Sequence, residues 1–255
     1  MDVRPTRLIS LVPSLTEAIL DLGGEDRLVG ATEYCPASID LPRVGGPRTL
    51  RLEALKSLRP DAVIACIEEN TREQLESVAN ELPLLAFSCR TLEDALRLVR
   101  TLGDLLGAQG PAAETLQRFE AARREVRLRR RGEARAGEPP PRPRRVFYPV
   151  WRDPWLAVGR GCFPAAMLAE AGGVSVFADA AVPYPEISPR ELPVREPERI
   201  LLPDEPWRFG EADAQELAAL WTGPGPRIVL TAGRWAAWYG TRMDEGLRAL
   251  AAAIE

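Results

Sequence analysis

Histidine is absent from the chain, and Lys56 is its only lysine. Without histidine, no Ser-His-Asp or Cys-His nucleophile and no His-ligated metal centre can be built. Lys56 lies in Leu55-Lys56-Ser57 with no glycine run before it, so the phosphate-binding Gly-x-x-x-x-Gly-Lys-Ser/Thr loop is missing as well. Four cysteines, at 35, 66, 89 and 162, form no Cys-x-x-Cys pair, which argues against a zinc ribbon or a thioredoxin-type site. No apolar run approaches the roughly 20 residues of a membrane span. Met1 to Arg7 is short and polar, unlike a secretory leader, so a cytoplasmic protein is expected if Met1 is the native start.

What remains is an ordinary globular composition. The 255 residues are 45% hydrophobic and 27% charged, with a net charge of −4. That length suits one large domain or two small ones. The mild acidity gives no reason to expect nucleic acid. The arginines between Arg123 and Arg145 are diluted by Glu120, Glu125, Glu133 and Glu138, with no aromatic among them to stack on bases.

The pattern alternates between strand and helix. Leu8 to Val12 reads as a strand, and Ser14 with Glu17 as a capping box opening a helix that ends at Gly23-Gly24. Leu28-Val29-Gly30 is a second strand, Leu50 to Leu58 a helix closed by Pro60, and Ala62 to Ala65 a buried strand. Thr71 with Gln74 opens another helix, Leu84 to Phe87 is a strand, and Thr91 to Leu106 an amphipathic helix. Such alternation with short links favours a parallel sheet covered on both faces. Pro111 to about Arg131 is helical but mostly polar, with a narrow stripe of Leu116, Phe119, Ala122 and Val126, as suits a bridge rather than a core element. Gly137 to Pro141 is an exposed turn. The second half restarts with strands Val146–Val150 and Trp155–Val158, and Gly159-Arg160-Gly161 leads into a helix ending at Gly172-Gly173. With Pro164 at the third glycine position, this is a turn and not a dinucleotide fingerprint. Glu53 to Ile64 can be laid over Arg190 to Leu201, each a short helix, then Pro and an acid, then a buried strand, which suggests two similar lobes.

All six tryptophans lie at or after 151. Trp151 with Trp155, Val182-Pro183-Tyr184-Pro185, and Trp235 to Tyr239 are flanked by Pro and Gly, as loops at strand ends are. Ligands of open α/β sheets bind at the carboxyl ends of strands. Large flat side chains there suit a large, partly apolar ligand, with Arg48 or Arg234 available for anionic groups. Tyr34 and Cys66 occupy equivalent places after two first-half strands. Glu68 and Glu69 are either a catalytic carboxylate pair or solvated loop charges.

Arg7 to Glu17 followed by Leu28-Val29-Gly30 resembles the opening of the cluster-type substrate-binding proteins of ABC importers for cobalamin and iron-siderophores. Val44-Gly45-Gly46, Leu52-Glu53, Leu58 to Ile64, Ala171-Gly172-Gly173, Val176 to Asp179 and Val182 to Ser188 continue the resemblance, which runs from about 7 to 254. It implies a class III arrangement: two Rossmann-like lobes with parallel sheets (1–110 and 144–255) joined by one long helix (111–135), with the ligand clamped between them. The cobalamin branch is the more similar. There an aromatic stands at Tyr34, a tryptophan at the places of Cys66 and Tyr184, an apolar cleft residue at Trp151 or Trp155, and aromatic and charged contacts over Arg234, Trp235, Trp238 and Tyr239. The family presents a glutamate from each lobe to the transporter. Glu53 fits the first; the repeat puts Arg190 at the second, with Glu191 one residue on and turned by about 100° on a helix. The resemblance therefore implies a monomeric, non-catalytic protein without covalent cofactor or bound metal, capturing a corrinoid in a cleft for ABC import at the periplasm or cell surface. An iron-siderophore or haem carrier is the alternative ligand class, and a cytosolic corrinoid-handling enzyme or chaperone the alternative function.

Overall fold

The computed structural model describes residues 4–35, 40–46, 49–132 and 141–255. Arg48, residues 133–135 of the expected bridge and 137–140 of the expected turn lie outside the described residues. The chain divides into two compact units: Met1–Arg118 with Tyr239–Arg242, and Phe119–Trp238 with Met243–Glu255.

Unit 1 contains β1 (Leu8–Ser10), α1 (Pro13–Asp21), β2 (Leu28–Ala31), α2 (Leu52–Ser57), β3 (Ala62–Cys66), α3 (Arg72–Ala79), β4 (Leu84–Phe87) and α4 (Leu92–Leu106). Its sheet runs β2-β1-β3-β4, with every pair parallel. β3 is buried at all five positions, which is why Ala62 to Cys66 carries no polar alternation. Ile9, Leu11, Val44, Leu55, Val63, Ala65 and Val78 form a core cluster of the unit. The expected capping boxes fare differently. Thr71 and Gln74 form theirs, and Thr91 with Asp94 forms a further one beyond those expected from sequence. Ser14 and Glu17 do not: α1 begins at Pro13 with Val12 as its N-cap, and the buried Ser14 hydroxyl has no partner among the described residues. Proline at the first helical position starts the helix one residue before the serine. Gly107 ends α4 at φ 69°, where a Cβ would collide with the Arg4 guanidinium.

The helix α5 (Gln109–Gly132) begins in unit 1 and continues into unit 2. Unit 2 then contains β5 (Arg144–Phe147), β6 (Pro149–Trp151), β7 (Leu156–Ala157), α6 (Phe163–Glu170), β8 (Gly173–Ser175), α7 (Leu192–Arg195), β9 (Arg199–Pro203), α8 (Glu211–Ala218), β10 (Arg227–Thr231), α9 (Arg234–Ala237) and α10 (Met243–Ile254). The expected single strand Val146–Val150 is two strands, β5 and β6, and β6 pairs antiparallel with β7. The main sheet runs β10-β9-β5-β8, again wholly parallel. Read from β8, its chain order is second, first, third, fourth, the same as in unit 1. In both, the order reverses beside the first strand, the place where open parallel sheets generally receive ligands at their carboxyl ends.

Candidate functional site

In unit 1 the reversal lies between β1 and β3, where Cys66 ends β3. Its thiol is buried, which pushes its pKa up to about 12, so it stays protonated at neutral pH. It donates to Glu68 Oε2 at 3.2 Å. Glu68 is pinned further by Ser88 Oγ (2.7 Å), the Cys89 N–H (2.9 Å) and Arg90 Nε (2.9 Å). Burial pushes its carboxyl up, but these hydrogen bonds outweigh burial and leave it below the ordinary value. Tyr239 donates its phenolic proton to Glu69 Oε1 at 2.6 Å. Glu68 and Glu69 are both exposed, as loop charges would be, and both are also held by these hydrogen bonds. An enzymatic acid would need a raised pKa, and that of Glu68 moves the other way. Tyr34 follows β2 with its ring 69% exposed, lying where a side chain at Gly46 would collide with it.

Tyr239 is held in unit 1 by its own segment. Thr241 Oγ1 donates to Asp21 (2.6 Å), Arg242 adds two bonds to the same carboxylate (3.1 and 3.2 Å), and Arg118 reaches the Thr241 carbonyl (3.1 Å). Tyr239 is thus a buried anchor, 4% exposed, and not an open ring.

In unit 2 the reversal lies between β5 and β9. Tyr148 follows β5 and is buried, its hydroxyl donating to the Gly233 carbonyl at 3.4 Å. Trp151 is 40% exposed and meets Trp207 edge-on, with ring centroids 5.2 Å apart. Tyr184 is 41% exposed. The Arg234 guanidinium lies over the Trp238 ring at 4.6 Å. Trp235 is half-buried and lines a cavity at the ends of β9 and β10. Trp155 departs from expectation. It belongs to the core with Phe147, Phe177 and Leu202, stacked on Phe209, and is not a ligand-facing ring.

Trp207 had the same signal as the aromatics singled out from sequence: it follows a strand and a proline. Of the two docking candidates, Glu53 is the more open; its side chain is 85% exposed, with Lys56 at 3.1 Å. The Glu191 carboxylate turns back to cap the Ser188 N–H at 3.1 Å. Among the described residues no group of three or more His, Cys, Asp or Glu is placed to hold a metal ion, and no helix is long and apolar enough to cross a membrane.

Comparison with known proteins gives a consistent picture. A family model described as periplasmic binding protein matches residues 8–219. A vitamin B12-binding protein of Vibrio cholerae is 27% identical over 216 residues, covering 81% of this chain and 76% of that protein. The crystal structure of a periplasmic vitamin B12 binding protein of Vibrio cholerae superimposes with a TM-score of 0.79 at 24% identity, covering 98% of this chain and 97% of that one. A periplasmic heme-binding protein from Roseiflexus sp. gives 0.78 at 24% identity, covering 97% of each. At that identity the two structures establish the α/β fold, and the ligands they are named for are their own.

Proposed function

We propose that this chain, which belongs to the periplasmic binding protein family, captures a corrinoid of the cobalamin type without transforming it and passes it to an ABC-type importer. The observation that carries the reading is the set of open aromatic rings at strand ends: Tyr34 in unit 1, Trp151 and Tyr184 in unit 2. Rings of this kind stack on a large flat ligand at little entropic cost. The likeness to a curated vitamin B12-binding protein supports the corrin as that ligand. Family members are periplasmic, and in this reading the chain works in the same compartment. Its lobes are then 1–110 and 144–255 with 111–135 as the bridge, and Glu53 is the stronger of the two docking carboxylates.

Haem is the competing ligand, because the fold is shared with a protein named for binding it. Titration decides between them. Cyanocobalamin is expected to quench the tryptophan fluorescence of the full chain saturably, and to do so more tightly than hemin. Trp238→Ala, which removes the ring beneath Arg234, is expected to weaken binding about tenfold. A flat cobalamin titration beside a saturable hemin one overturns the corrinoid reading.

A further inference from the structure

We infer that the cavity at the carboxyl ends of β9 and β10 receives a primary carboxamide arm of the ligand and discriminates against a carboxylate arm. The inference rests on the corrinoid reading and names the chemistry by which unit 2 would recognise it. The cavity is about 480 Å³, room for a side arm and its stem. Leu202, Phe209 and Trp235 give it apolar walls.

Its polar groups are unspent. Arg208 and Glu211 both line it, three residues apart and opposite in charge, yet neither makes a hydrogen bond or an ion pair among the described residues. Asp204 Oδ1 accepts the Gly233 N–H at 2.8 Å, while among the described residues no hydrogen bond falls on Oδ2. Thr231, 6% exposed, also lines the cavity, and its buried hydroxyl has no partner among the described residues. A buried polar atom without a partner is uncommon in a folded chain and marks a place where something else completes the bonding.

The cavity therefore offers a cationic donor, a hydroxyl and two carboxylates. A primary amide matches that set: its oxygen accepts from Arg208, and its two N–H bonds donate to Glu211 and Asp204. A carboxylate arm would satisfy Arg208 while facing two like charges, and an ammonium would satisfy the acids while facing the guanidinium. Corrinoids carry primary carboxamide arms around the ring, whereas haem carries propionates, so the cavity would favour the first class at a position remote from the ring face.

The test compares two corrinoids with one macrocycle: dicyanocobyric acid, with six carboxamide arms, and dicyanocobyrinic acid, whose arms are all carboxylic. Calorimetric titration of the full chain is expected to favour the amide form at least about tenfold. Glu211→Arg is expected to cut that ratio about tenfold, and Glu245→Arg, the same change of charge on the exposed side of α10, to leave most of it. Equal shifts in the two variants, or none in Glu211→Arg, overturn the inference while the corrinoid reading stands. Binding of neither corrinoid to the unmodified chain overturns both.

Discussion

Trp155→Ala is expected to lower the unfolding free energy by about 3–5 kcal/mol and to leave the cyanocobalamin affinity of the folded protein within about twofold. The ring is 8% exposed. It stacks on Phe209 with centroids 5.5 Å apart and planes at 25°, lies 6.4 Å from Phe147, and has the Arg152 guanidinium 5.4 Å from its centre. Its backbone carbonyl accepts the Ile187 N–H at 2.9 Å, so the residue also fixes the loop that carries Tyr184. Truncation would open a cavity lined by rings that cannot close over it. Urea denaturation measures the first effect and fluorescence titration the second. Unchanged stability with a large loss of affinity would return Trp155 to the ligand.

The contrast between Trp151 and Trp155 shows where sequence reasoning stops. Both stand near prolines after a strand, and composition treats them alike. The pairing of β6 with β7 turns the chain back between them, with an irregular register between Pro149 and Trp151. Phe209, 54 positions later than Trp155, then covers one ring and leaves the other open. The same distance effect hid Tyr239, whose partner Glu69 is 170 residues away, and the cavity, whose Arg208 lies in the loop after β9 and whose Thr231 ends β10. Local signals were legible wherever one segment sets its own conformation. The apolar run Ala62 to Ala65 became a buried parallel strand, and Thr71 with Gln74 became a capping box. Ser14 failed because Pro13 had already started the helix.

The faint repeat has a sharper physical basis than the sequence suggested. Arg59 and Glu196 both adopt φ 46°, each followed by a proline and then by Asp61 or Glu198. Asp61 accepts the Arg7 N–H at 2.8 Å, and the Arg7 guanidinium bonds the carbonyls of Arg59 and Leu58. Glu198 accepts the Arg145 N–H at 2.9 Å, and the Arg145 guanidinium bonds the carbonyls of Glu196 and Arg195. Each clasp ties the start of the first strand of a sheet to the turn entering the third. In unit 2, Arg142 and Arg144 add ion pairs at 2.7 and 3.1 Å. Burial pushes the Glu198 carboxyl up, but these partners outweigh it and hold its pKa down at about 2, against an ordinary 4.5. On acidification the unfolded chain therefore takes up the proton first. The contribution of Glu198 is complete above about pH 4.5 and is lost as the pH falls towards 2. Glu198→Gln is expected to cost about 2 kcal/mol at pH 7, and the gap between the two proteins to shrink steadily from pH 4.5 downward. Urea midpoints at a series of pH values measure it. A gap that stays constant down to pH 2.5 would mean that Glu198 acts through its shape alone, and not through the charge that closes the clasp.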